Sequence, residues 1–130
     1  VGQHTSRIVQ RLLIADDEPQ ILTLIKEALH AEGWLITLCR DGLAAFEALE
    51  KSSYSVAILD IMMPRRTGME VLLELRNRKN DTPVVLMSSF IGDDVYEACR
   101  GLGRIAFLPK PFTLAELRGA IDRASSKIRC

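Results

Sequence analysis

Short apolar runs, four unbroken and one interrupted by a single threonine, recur five times along this 130-residue chain, and each is followed by a segment with amphipathic-helix spacing. The runs are Leu12-Leu13-Ile14-Ala15, Trp34-Leu35-Ile36-Thr37-Leu38, Val56-Ala57-Ile58-Leu59, Val84-Val85-Leu86-Met87 and Ile105-Ala106-Phe107-Leu108. Strands without polar alternation must be covered on both faces, as in a parallel sheet between helix layers. Pro19 opens the first helical stretch, where Ile21, Leu22, Ile25, Ala28 and Leu29 recur until Gly33. Leu43, Phe46 and Leu49 mark the second, and Met69, Leu72 and Leu75 the third. Val95, Cys99 and Leu102 form a weaker fourth, and Leu114, Leu117, Ile121, Ala124 and Ile128 a fifth. Five β-α units with short connections predict one α/β domain, a doubly wound five-stranded parallel sheet with helices on both faces.

Composition excludes several classes of function. At 48% hydrophobic residues, with 17 Lys+Arg against 17 Asp+Glu, the chain has a full core and no net charge. It is therefore not a disordered polymer, and it lacks the basic excess of a direct nucleic-acid binder. No apolar run approaches the ~20 residues of a membrane-spanning helix, and the polar start Val1-Gly2-Gln3-His4 lacks a signal-peptide core. Cys39, Cys99 and Cys130 form neither a disulfide framework nor a metal-ligand spacing, which points to free thiols in a reducing cytoplasm.

The neutral total conceals a gradient. Residues 12–63 hold nine acidic and three basic side chains, whereas residues 64–130 hold twelve basic and eight acidic. In an open doubly wound sheet, ligands sit beyond the carboxyl ends of the strands, where strand order reverses. The residues there are Asp16-Asp17 after the first strand, Asp60 after the third, Ser88 after the fourth and Lys110 after the fifth. If the first and third strands are neighbours, three carboxylates share one pocket and need a counter-charge. Mg²⁺ is the hard cation suited to them, with Lys110 as a compact positive charge and Ser88 as a hydroxyl donor. Such a set serves phosphoryl chemistry, where positioning and neutralisation supply most of the catalysis.

Leu-Leu-Ile-Ala-Asp16-Asp17-Glu18-Pro19, Asp60-Ile61-Met62-Met63-Pro64-Arg65-Arg66-Thr67-Gly68, Ser88 and Lys110-Pro111-Phe112 together resemble the receiver domain of two-component response regulators. The resemblance spans residues 11–128. It implies a flavodoxin-like sheet in the order 2-1-3-4-5, with residues 1–10 as an N-terminal extension and 11–130 as the receiver domain. Asp60 would be the phosphoacceptor, supplied by a histidine kinase or a phosphotransfer protein. Asp17, Asp60 and the backbone carbonyl of Met62 would ligate Mg²⁺, with Asp16 assisting. Lys110 and Ser88 would contact the phosphoryl group, and the Lys110-Pro111 bond would be cis. Ser88 and Phe107 would be the switch residues, Phe107 having an ordinary core position as its alternative. The face of the fourth helix, fifth strand and fifth helix would carry an output domain or partner protein. The protein would then be a cytoplasmic switch, not an enzyme acting on a metabolite, with no direct nucleic-acid or membrane contact of its own. A receiver used only as an unphosphorylated docking module is the alternative.

Some positions depart from the family pattern. Where the family often has Gly-Ala-Asp-Asp-Tyr, this chain reads Gly103-Arg104-Ile105-Ala106-Phe107. The acids that form ion pairs across a symmetric dimer in many members are therefore absent, and that dimer is not expected. Arg104 and Ile105 make the face more basic and more apolar. Met62 and Phe90, two residues after Asp60 and Ser88, are apolar and expected to shield an acyl phosphate from water. Arg65 and Arg66 read as solvated loop residues, with attraction of a phosphorylated partner as the other reading. The Val start and the apolar stripe to Ile128 are expected of a piece of a longer regulator or hybrid kinase, a stand-alone domain being the other possibility. Related folds fit less well. An aspartate-nucleophile phosphatase needs Asp-x-Asp after its first strand, and a flavodoxin a Ser/Thr/Gly-rich phosphate loop.

Overall fold

The structure is a computed structural model that describes residues 10–126. The five apolar runs form β1 (Arg11–Ala15), β2 (Leu35–Cys39), β3 (Val56–Asp60), β4 (Val84–Ser88) and β5 (Ile105–Pro109). They alternate with α1 (Pro19–His30), α2 (Gly42–Lys51), α3 (Gly68–Asn77), α4 (Asp93–Cys99) and α5 (Leu114–Ser125). All neighbouring strands pair in parallel, in the order β2-β1-β3-β4-β5. Trp34 lies just before β2, and the fourth helix stops at Cys99, short of Leu102. Gly101 and Gly103 then take positive φ angles of 80° and 90°, a backbone region that glycine enters without a Cβ clash. Residues 1–9 and the stripe position Ile128 lie outside the described residues.

The central strands explain the unbroken runs. Alternate residues of β1 and β3 point to opposite faces, and each face meets helices. Leu12, Ile14 and Ile58 pack with Leu22, Ile25 and Leu29 of α1 and with Leu117 and Ile121 of α5. Leu13, Ala57 and Leu59 pack on the other face with Phe46 and Leu49 of α2 and Leu72 and Leu75 of α3. Each fully buried Leu or Ile contributes about 1.5–3 kcal/mol relative to exposure. Of the edge strands, β5 alternates buried and accessible positions, whereas β2 is accessible along its length until Cys39.

The helix starts are defined by local chemistry. Thr67 and Thr113 each close a capping box, with Glu70 and Glu116 respectively. Asp41 accepts the Ala44 N–H at 2.8 Å at the head of α2. α4 differs from the rest: it has only seven residues, and Cys99 is its one buried side chain. Arg76 joins the loop that follows α4 to the one before β4, donating to the carbonyls of Leu102 at 2.5 Å and Arg104 at 3.3 Å in the first and Asn80 at 2.9 Å in the second.

Candidate functional site

Sheet order places β1 beside β3, so their carboxyl ends bring Asp16, Asp17 and Asp60 together. One carboxylate oxygen from each lies within 4.8 Å of the others. Asp16 is fully buried because its own N–H continues the ladder, donating to the Cys39 carbonyl at 3.1 Å. Asp60 is 5% exposed at the end of a strand buried throughout. Asp17, by contrast, is exposed at the mouth.

Lys110 enters from β5, three strands across from β1. Its backbone N–H donates to the Ser88 carbonyl at 2.7 Å, which fixes the side chain's point of entry. Its ammonium donates to Asp16 Oδ2 and Asp60 Oδ2, both at 3.0 Å, and to Glu18 Oε1 at 3.2 Å. The second oxygens are also engaged. Asp16 Oδ1 accepts the Glu18 N–H at 2.9 Å, and Asp60 Oδ1 accepts the Met62 N–H at 3.1 Å. The Ser88 hydroxyl, 5% exposed, accepts the Phe90 N–H at 3.3 Å. The Lys110-Pro111 bond is cis.

One ammonium does not neutralise two buried carboxylates. Burial, helped by the charge of Asp16, pushes the Asp60 carboxyl up to about 6, although the bonds from Lys110 and Met62 pull it down. Burial also opposes the Lys110 ammonium, but the bonds to Asp16 and Asp60 outweigh it and hold the charge above the ordinary lysine range. The pocket is therefore short of positive charge. Hard oxygen donors at this spacing fit a small divalent cation, Mg²⁺ above all, which uses one or two carboxylates and keeps its remaining positions for water or phosphate oxygens.

The remaining sequence candidates surround this centre. Phe107 is half-buried on β5, so it is neither fully core nor free. Its ring meets Tyr96 of α4 edge-on, with centroids 4.5 Å apart. Met62 and Phe90 are 69% and 79% exposed. Arg65 is an exposed loop residue 4.0 Å from Asp41, whereas Arg66 lies over the Phe46 ring at 4.9 Å, with Arg78 at 5.2 Å from the same ring.

Two contributors were not singled out from the sequence. Glu18 reaches Lys110 from the start of α1, a contact between residues far apart in the chain. Gly42 packs directly on the loop after Asp60: its N–H donates to the Pro64 carbonyl at 3.2 Å, and a Cβ there would run into the Arg66 carbonyl oxygen. The Asp41-Gly42 pair reads as a turn into the second helix, but nothing local shows what the glycine touches. A groove of about 820 Å³ lies at the opposite end of the strands, among Ser52, Ser53, Lys79 and Asp81. The converging acids and lysine, not concave volume, mark the site.

The match to known proteins covers most of the chain. Residues 12–122 fit the family model for the response regulator receiver domain. The transcriptional regulatory protein TrcR of Mycobacterium tuberculosis is 37% identical over 121 residues, covering 88% of this chain and 46% of that protein. The chain spans about half the length of the curated relatives it matches. Among solved structures, the response regulator TrrA from Thermotoga maritima, in complex with Mg²⁺ and BeF, has a TM-score of 0.78 at 30% identity. That match covers 89% of this chain and 99% of the TrrA chain. The receiver domain of the sensor histidine kinase PA1611 from Pseudomonas aeruginosa, with a magnesium ion in its active-site cleft, also has a TM-score of 0.78, at 28% identity, covering 92% of this chain and all of that one.

Proposed function

The chain belongs to the response regulator receiver domain family, and from that premise we propose that it is a phosphorylation-controlled switch with Asp60 as phosphoacceptor. The observation that carries the proposal is the placement of Asp60. It is a buried carboxylate at the end of β3, with Lys110 at 3.0 Å and Asp16 and Asp17 within 4.8 Å. A donor phosphohistidine, on a histidine kinase or a phosphotransfer protein, would lose its N–P bond as an Asp60 carboxylate oxygen forms the O–P bond. The electron pair returns to the imidazole nitrogen, which takes up a proton.

Each residue has a derivable part in this step. With its carboxyl titrating near 6, Asp60 is mostly ionised at neutral pH and available as a nucleophile. Lys110 supplies fixed positive charge to the transferring oxygens without leaving its place. The Met62 N–H holds one Asp60 oxygen and so orients the carboxylate. Ser88 offers a hydroxyl to a phosphoryl oxygen once it releases the Phe90 N–H. Asp16, Asp17, Asp60 and the Met62 carbonyl would hold Mg²⁺, which when bound supplies the missing positive charge on the phosphoryl oxygens. Loss of the group is the reverse in kind: water attacks phosphorus, and Asp60 leaves as a carboxylate with inorganic phosphate as product. The domain would thus catalyse only its own modification.

Downstream, the phosphorylated state shifts a pre-existing equilibrium by its differential contacts in the two states. Phe107 of β5 and Tyr96 of α4 meet on the α4–β5–α5 face, where an output domain or partner protein would dock. Among the described residues no helix is long and apolar enough to cross a membrane, and we place the reaction in the cytoplasm as part of the same proposal.

Incubation with Mg²⁺ and acetyl phosphate, followed by intact mass, tests the reading. The wild type gains one phosphoryl group, while Asp60→Asn and the Mg²⁺-free protein gain none. No Asp60-dependent gain would leave a phosphorylation-independent docking module as the reading. Trp34 is a poor local reporter for this assay. It precedes β2, roughly 15 Å of strand from the site.

A further inference from the structure

We propose that Glu18 is a positioning residue for Lys110, keeping its ammonium at the mouth of the site where an incoming phosphoryl oxygen arrives. The inference rests on Asp60 being the phosphoacceptor. A lysine ammonium has three N–H donors and no acceptor. Lys110 uses all three, two on the buried Asp16 and Asp60 and one on Glu18. The first two partners pull Nζ into the protein, while the third is an exposed side chain and pulls it outward.

The place of Glu18 is set by the chain around it. It is the N-cap of α1, with its carbonyl accepting the Ile21 and Leu22 N–H groups at 3.1 and 3.3 Å. Pro19 follows at the first helical position, where its fixed φ suits the turn. The Glu18 N–H also holds Asp16 Oδ1 at 2.9 Å. One residue therefore orients Asp16 through its backbone and Lys110 through its side chain. Without the outer carboxylate, the ammonium has only the two inner ones and settles between them, away from the open side. The same three-way division keeps Lys110 from committing fully to Asp60, the group that must react.

Reach and charge make different predictions, so three substitutions separate them. Glu18→Gln keeps the length and an accepting oxygen but removes the charge. Glu18→Asp keeps the charge but is one methylene too short to hold the 3.2 Å bond from the same backbone position. Glu18→Ala removes both. Rates of Asp60 phosphorylation by acetyl phosphate are measured at saturating Mg²⁺ by intact mass. In parallel, the ¹⁵Nζ and ¹Hζ resonances of Lys110 are followed in the metal-free proteins. Glu18→Ala and Glu18→Asp should both slow phosphorylation by roughly 3- to 10-fold, the range that one ordinary hydrogen bond to a solvent-exposed partner supports. Both should also shift the Lys110 resonances, while Glu18→Gln stays within about twofold of wild type on the same scale.

If Glu18→Asp matches wild type while Glu18→Gln follows Glu18→Ala, the effect is one of charge and the positioning role is wrong. Four equal rates with unmoved Lys110 resonances overturn it too. A wild type that gains no phosphoryl group refutes instead the assignment of Asp60. Circular dichroism and urea unfolding of each variant identify any that has lost the fold, and the Lys110 resonances of the remaining variants then decide.

Discussion

Replacing Asp60 with Asn in metal-free protein should stabilise the fold at neutral pH and lose that advantage in acid. The Asp60 carboxyl is pushed from its ordinary 3.8 up to about 6, first by burial and then by Asp16. A carboxyl raised in the folded state makes its largest relative contribution to stability below pH 3.8. That contribution is lost as pH rises to about 6, because folding then requires a charge the pocket disfavours. A gap of about two pH units at ~1.4 kcal/mol each puts the full penalty near 3 kcal/mol at pH 7.5. Asn escapes the penalty but cannot accept from both Lys110 and Met62, losing a hydrogen bond worth about 1 kcal/mol. The net expectation is a gain of about 1–2 kcal/mol at pH 7.5 and parity or a small loss at pH 4. Lys110 keeps Asp16 and Glu18, so no buried charge is stranded. Urea unfolding of both proteins in EDTA at pH 4, 5, 6 and 7.5 gives the difference directly. Mg²⁺ should then reverse the order at pH 7.5, since a ligand stabilises the form that binds it better. A variant less stable than wild type at pH 7.5 in EDTA, or a difference flat from pH 4 to 7.5, would refute the charge-deficit account.

Three other variants, one of them a double substitution, probe the surroundings. Gly42→Ala forces a methyl group into the Arg66 carbonyl and should cost about 2–3 kcal/mol in urea unfolding. Because the displaced loop carries Met62, it should also slow Asp60 phosphorylation. Arg76→Met removes the donor to three carbonyls and should cost about 2–4 kcal/mol, with faster amide exchange across residues 100–104. Burial already holds that guanidinium below the ordinary arginine range, as expected for a cation whose bonded partners are carbonyls. Met62→Asn combined with Phe90→Glu puts polar groups two residues after Asp60 and Ser88 in place of two exposed apolar ones, and autodephosphorylation should accelerate. Equal phosphate-release rates in the double variant and wild type would exclude shielding by the pair.

The strands were legible almost to the residue because a run such as Val56-Ala57-Ile58-Leu59 has no polar position that could face water. The strand ends then located Asp16, Asp60, Ser88 and Lys110 without any knowledge of side-chain direction. The fourth helix was overextended because three spaced apolar residues do not distinguish a helix from a helix followed by a glycine turn at Gly101. What could not be read was the choice of partner. Arg66 was a charge in a loop until the fold brought Phe46 beneath it, and nothing in the sequence singled out Arg76, whose partners appear only where α3 meets the loop of residues 100–104. Both partnerships depend on where separate elements come to rest, and no local spacing encodes that. Glu18 belongs to the same class, because a residue adjacent to Asp17 became important through a strand that ends at residue 109.

The contact between Gly42 and Arg66 divides the rim of the pocket into unequal parts. On that side, α2, α3 and the segment between Asp60 and Thr67 are joined through Gly42, Phe46 and Gly68, whose own N–H donates to the Ile61 carbonyl at 2.9 Å. Across the opening, Ser89 to Gly92 lead into a helix anchored by a single buried cysteine. If Asp60 takes up a phosphoryl group as proposed, the α4 bank, which has the fewer buried anchors, is the one expected to move, toward Tyr96 and Phe107, while the α2–α3 bank holds.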